Sequence, residues 1–133
     1  NTGGELIQGA TNASFTPPTN QVGDVWYYVV VTGNCKPAAS NTAKITVNSL
    51  PIIDPIEGVD VCVDGTSQMS NITPNGTWGT TTPSLISISS DGLVTGLAVG
   101  QANVTYTVTQ NSCTSTVNKT INVNSIIAVC CSD

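Results

Sequence analysis

The sequence predicts an all-β protein built from tandem two-sheet sandwiches. Apolar residues occur in short runs of strand composition, which clusters of Gly, Pro, Asn and Asp separate. Several runs alternate apolar and polar residues, as strands with one buried face do. One long phrase occurs twice, which indicates an internal repeat. No segment keeps the apolar period of an amphipathic helix, so we expect essentially no α-helix.

Seven segments have the composition of strands. Each is rich in Val, Ile, Thr or aromatic residues, and turn residues bound it. The dipeptide Asp91-Gly92 predicts a type I′ hairpin turn, in which both central residues have positive φ. The segments are 24–32, 43–48, 59–63, 85–89, 93–97, 102–109 and 119–124.

Alternation within the last two segments predicts the core. Threonines separate Val104, Tyr106 and Val108, so the three apolar side chains fall on one side of their strand. Ile121 and Val123 share one side of the next strand in the same way. We expect these five residues inside a sandwich, with a face rich in hydroxyls and amides turned to water.

The repeated phrase predicts the domain organisation. "YVVVTGNC…ITVNS" in the first half matches "YTVTQNSC…INVNS" in the second, which aligns Cys35 with Cys113 and Gly23 with Gly100. Units that repeat in this way stack as an array. We expect residues 50–125 to be one complete repeat and residues 1–49 to be the C-terminal part of a repeat whose first strands lie upstream. Residues 126–133 then begin the next repeat or form a tail.

Composition argues against several classes of function. Charged residues are 8% of the chain, with three Lys, no Arg, no His and a net charge of −5. Nucleic-acid binding needs clustered Lys and Arg, so we expect none. No nucleophile has an evident base, so we expect no enzyme. No run approaches the ~20 apolar residues of a spanning helix, so we expect no membrane insertion.

Cysteine usage predicts the compartment. The chain has five cysteines, no histidine and no Cys-x-x-Cys spacing, which favours disulfides over zinc or redox sites. Disulfides are typical of oxidising, extracytoplasmic places. The sequence opens on Asn1 without a signal-like segment, so we expect a processed piece or an excerpt of a longer polypeptide.

Residues 76–108, "GTWGTTTPSLISISSDGLVTGLAVGQANVTYTV", resemble the bacterial immunoglobulin-like domain, group 2. The phrase "ASFTPPTNQVGDVWYYVVVTGNC" in the first half is similar to immunoglobulin-like repeats of large Bacteroidota surface adhesins exported by type IX secretion, including gliding-motility adhesins. The first match runs through Trp78, Pro83, Ile86, Ile88, Gly92, Leu93, Val94, Gly96, Gly100 and Ala102.

The resemblance implies tandem immunoglobulin-like β-sandwich repeats, with Trp78 in the interior of the second. It implies a structural stalk or filament segment of a secreted adhesin at the cell surface. Such a segment projects a distal binding tip and carries mechanical load. Its partners would be neighbouring repeats of the same polypeptide, and surface polysaccharide or other cells.

The cysteines lead to a disulfide prediction. Cys62 lies in the second predicted strand of the complete repeat and Cys113 follows a late strand. A bond between them would close a loop of about 52 residues, worth about 4 kcal/mol in the chain-entropy model. By alignment, Cys35 would pair with a cysteine upstream. Adjacent Cys130 and Cys131 do not readily bridge each other, so one would serve the next repeat and the other would be free or intermolecular.

Four carboxylates surround the predicted junction between repeats: Asp54, Glu57, Asp60 and Asp64. They allow two readings, an interdomain calcium ion or a solvated linker. Their spacing does not match an EF-hand loop, and we favour the linker, with no cofactor.

Trp26 and Tyr28 suggest a competing function. They alternate with Tyr27 and Val29, so they would lie on the outer face of their strand. Exposed aromatics either stack on a sugar ring or pack against a neighbouring domain. The alternatives are therefore a glycan-binding module that uses these aromatics and the Thr-rich strand faces, or a polymerising filament subunit that strand addition from another chain completes.

Overall fold

The computed structural model describes residues 4–127. The chain divides into two compact units, residues 1–49 and 50–133. The described residues form eleven β-strands and no helix, so the all-β prediction is confirmed. Within them, no helix is long and apolar enough to cross a membrane.

The first unit holds two pairs of short antiparallel strands. β1 (Gly23–Tyr27) pairs with β4 (Ala43–Val47), and β2 (Val30–Val31) pairs with β3 (Ala38–Ala39).

The strand predicted over 24–32 is therefore interrupted after Tyr27. Ser40 satisfies both backbone groups of Val29 at this interruption. Its Oγ accepts a hydrogen bond from the Val29 N–H at 3.0 Å, and its own N–H donates to the Val29 carbonyl at 2.9 Å. Between the two strand pairs, residues 28–29 lie opposite residues 40–42. The side that leads from β3 to β4 therefore carries one extra residue, as in a β-bulge.

The second unit contains two sheets. The larger sheet comprises β5 (Val61–Cys62), β7 (Gly76–Thr80), β10 (Gly100–Gln110) and β11 (Cys113–Asn124), in the order β5-β11-β10-β7. The smaller sheet comprises β6 (Thr66–Gln68), β8 (Ile86–Ile88) and β9 (Leu93–Gly96), in the order β6-β9-β8. β11 runs antiparallel to β10 and parallel to β5. This architecture is consistent with a β-sandwich.

The core of the second unit matches the alternation. All five residues expected inside are buried, and the intervening threonines face outward. Trp78 is half-buried and packs on this core, with its ring centroid 4.6 Å from that of Tyr106. The buried apolar residues are Ile56, Val61, Met69, Ile86, Val94, Ala102, Val104, Tyr106, Val108, Ile121 and Val123.

The segment expected to be a solvated linker is partly packed. Ile56 is buried, Ile53 packs against the same core, and Glu57 forms a backbone bridge with Ser70. Residues 53–57 therefore belong to the second unit, because Ile53 and Ile56 anchor them to its core.

The hairpin turns differ from the sequence prediction. Gly92 has a φ of 83°, but its N–H closes a turn on the Ser89 carbonyl whose central residues do not have positive φ, so the type I′ expectation at Asp91-Gly92 is wrong. The turn with two positive values joins β10 to β11, at Asn111 (φ 50°) and Ser112 (φ 63°).

Candidate functional site

The strand register excludes the predicted disulfide. Cys62 lies opposite Asn124, at the last residue of β11, whereas Cys113 is the first residue of that 12-residue strand. At about 3.3 Å per residue, the two cysteines lie about 35 Å apart. Bridged cysteines have Cα atoms within about 7 Å. The prediction that Cys62 bonds to Cys113 is therefore wrong.

Cys62 is nevertheless disulfide-bonded. Cys35 is a free, exposed cysteine in the loop between β2 and β3. Its expected partner upstream was inferred from the bond to Cys113, so that inference loses its basis. The predictions for Cys130 and Cys131 lie outside the described residues.

The four acidic residues near the junction have separate surroundings. Thr73 Oγ1 donates to Asp54 Oδ2 at 2.9 Å, and Asp64 donates its N–H to the Gly96 carbonyl at 2.9 Å. Within residues 4–127, no group of three or more His, Cys, Asp or Glu residues is placed to hold a metal ion. The structure does not bring Asp54, Glu57, Asp60 and Asp64 together.

Asp60, the residue before β5, forms hydrogen bonds with β11. Its Oδ1 accepts the Asn122 backbone N–H at 2.8 Å and its Oδ2 accepts the Asn122 amide at 3.1 Å. These two bonds, helped by the charge of Lys119, hold the pKa of Asp60 below its ordinary value. The carboxylate therefore holds the start of β5 against β11.

The two candidate aromatics contact different neighbours. Trp26 is 57% exposed, and Lys44 Nζ lies 5.5 Å from its ring centroid, a cation–π arrangement. Lys44 Nζ also pairs with Asp24 Oδ2 at 2.7 Å. Tyr28 instead lies over Gly4, where a Cβ would come within 2.6 Å of its hydroxyl. The structure thus places Trp26 in a polar cluster and Tyr28 against backbone.

The outer face of β10 and β11 is uncharged. The hydroxyls of Thr107 and Thr116 form a hydrogen bond of 2.8 Å, and so do those of Thr109 and Thr114. These are cross-strand pairs in the β10–β11 register. The face consists of Asn103, Thr105, Thr107, Thr109, Thr114, Thr116, Asn118, Thr120 and Asn122.

Two depressions lie at opposite ends of β10. One has a volume of about 210 Å³ and is lined by Pro51, Ile52, Thr73, Pro74, Asn75, Val108, Thr109 and Gln110. The other has a volume of about 430 Å³ and is lined by Val63, Val99, Ser125, Ile126 and Ile127. The second is almost wholly apolar, which is typical of a contact surface rather than of a site with convergent polar groups.

Comparison with protein-family models and with curated proteins found no match for this chain.

Proposed function

We propose that this chain is a stalk segment of a repetitive secreted adhesin at the cell surface, made of immunoglobulin-like repeats. It projects a distal binding tip and carries mechanical load. The observation that supports this most is that the chain builds one hairpin twice.

The two hairpins share their register. The pairing of β1 with β4 starts at Gly23 opposite Val47, and the pairing of β10 with β11 starts at Gly100 opposite Val123. Each following rung corresponds, to the end of β1. Both glycines have positive φ, of 134° and 154°. Equal sequence phrases thus build equal pairings from equal starting conformations, as repeated units do.

The two copies differ in what covers them. Ala102 and Ile121 are 0% and 1% exposed beneath the second sheet of their unit. Their counterparts Val25 and Ile45 are 46% exposed and half-buried, and none of residues 4–49 is fully buried. This difference supports the interpretation that the first unit is the later part of a repeat whose first strands lie elsewhere.

Exposed apolar residues at the two ends of the second unit also support the proposal. Ile52 is 91% exposed beside one depression, and Ile127 is 93% exposed beside the other. A unit that stacks on neighbours needs apolar surface at its ends, since each repeat contacts only the adjacent ones.

Force spectroscopy of the natural, full-length polypeptide tests the proposal. We expect a series of unfolding peaks with a constant contour-length increment, because each repeat of about 76 residues should release up to about 3.4 Å per residue. A polypeptide of only these 133 residues, measured by mass under denaturing conditions, would contradict the stalk and favour a filament subunit that another chain completes.

A second candidate function is glycan binding by the first unit. It is supported by the exposed Trp26 ring, which Lys44 and Asp24 flank with polar groups. A glycan array tests it with Trp26→Ala, and Tyr28→Ala serves as the control aromatic. Binding that is lost only in Trp26→Ala supports this function, and no binding above background refutes it.

A further inference from the structure

Within residues 4–127, the outer edge of β11 has no partner strand along most of its length. β5 pairs only with Val123 and Asn124 of β11, and the Asp60 carboxylate accepts the hydrogen bond of the Asn122 N–H. Among the described residues, no strand pairs with this edge over residues 114–120. Thr114, Thr116, Asn118 and Thr120, all exposed, turn their backbone N–H and carbonyl groups toward it.

Their direction follows from the pairing. In an antiparallel strand, successive residues point their backbone groups to opposite neighbours. The Asn122 N–H and the Asn124 carbonyl both bond away from β10, to Asp60 and Val63. Residues of the same parity along β11 therefore face outward too.

We propose that this edge binds the same edge of a second copy of the chain, in an antiparallel, two-fold symmetric pairing centred on Val117. The open segment is itself symmetric about Val117. That register places Thr116 opposite Asn118 of the other copy and Thr114 opposite Thr120, so every open residue finds a partner. Each such pair exchanges two backbone hydrogen bonds.

The side chains fit this occupant. In this register Lys119, the only charged residue of β11, stands opposite Ser115 and not opposite another Lys119. β11 contains no proline, and its described pairing with β10 runs without a bulge. Proline and bulges are two of the devices by which natural edge strands stay unpaired. Two identical copies therefore meet without like charges in direct opposition. This inference is independent of the stalk proposal.

A charge exchange at the centre of the register tests the pairing. Thr116→Lys with Asn118→Lys sets like charges opposite each other across the two-fold axis, whereas Thr116→Lys with Asn118→Glu sets opposite charges there. Both variants lose the same Thr116 hydroxyl, so each controls the folding of the other. Circular dichroism and the unfolding temperature check that both fold.

Light scattering after size exclusion, over a concentration series, gives the result. We expect the unmodified chain to reach twice its 13.6 kDa mass, the Lys/Lys variant to lose half of that mass, and the Lys/Glu variant to keep it. Asn118→Pro removes an outward N–H without touching the bonds to β10, and should also yield monomers. A chain that stays monomeric at every concentration, or a dimer insensitive to these substitutions, overturns the proposal.

Discussion

Tyr106 links three parts of the second unit through one hydroxyl. Its Oη donates to the Thr73 carbonyl at 2.6 Å and accepts the Gly76 N–H at 3.0 Å. A Cβ at position 76 would overlap the Tyr106 ring, so glycine is required there. The sequence predicted that Tyr106 is buried, but the alternation of a strand contains no information about hydrogen-bond partners in distant loops.

Tyr106→Phe should lower the free energy of unfolding of the second unit by about 1–3 kcal/mol, because both backbone groups lose a partly buried partner. Urea denaturation measures the change. Tyr27→Phe is the control, since the Tyr27 ring meets Phe15, at a centroid distance of 5.5 Å, without needing the hydroxyl. Equal effects of the two substitutions would contradict this role.

Asp60 makes part of the stability depend on pH. The two bonds from Asn122 lower its folded pKa below the ordinary value of 3.8. The stabilisation is therefore present above about pH 4 and is lost as pH falls through the lower, folded pKa. Asp60→Asn should flatten this acid limb of stability, measured by urea midpoints at decreasing pH.

The elements that the sequence predicted well are those with long alternation. β10 and β11 form with the expected faces, although β11 begins six residues before the predicted segment. β3, β6 and β7 were missed, because β3 is two alanines, β6 reads Thr-Ser-Gln and β7 contains two glycines. None of them has an apolar period, and all three are held by their neighbours in the sheets. The disulfide between Cys62 and Cys113 was misassigned because the number of residues between two cysteines does not give the distance between them in the fold.

The turn between β10 and β11 uses positive φ without glycine. Ser112 has a φ of 63°, a conformation that costs a non-glycine residue about 1–2 kcal/mol. Ser112→Gly should raise the stability of the second unit by up to about 1 kcal/mol, after the greater entropy of the unfolded glycine is subtracted. Thermal denaturation measures it. Asp91→Gly should instead destabilise, because Asp91 lacks positive φ.

At the scale of the whole molecule, the two units should differ in local stability. The second unit has a buried core, whereas residues 4–49 contain no fully buried side chain. Hydrogen exchange should therefore show the amides that bond β10 to β11 opening at about 5 kcal/mol or more, and those that bond β1 to β4 opening at much lower cost. Similar protection in both hairpins would contradict this expectation.

The same substitution, valine to threonine, should have different effects on stability in the two units. Val104→Thr buries a hydroxyl at a fully buried position and should cost about 1–3 kcal/mol. Val25→Thr, at a position that is 46% exposed, should change stability little. Chemical denaturation of each variant measures both effects, and a large effect of Val25→Thr would indicate that something covers that face in solution.

The parallel pairing of β5 with the end of β11 has a mechanical consequence. Because the two strands run in the same direction, tension that draws their ends apart slides one past the other, and the bonds at Val61, Val63 and Asp60 resist together rather than opening one by one. Such shear geometry makes the contact between β5 and the end of β11 the part of the unit that resists pulling most strongly. Asp60→Ala should then lower the unfolding force of this unit, which pulling experiments measure directly.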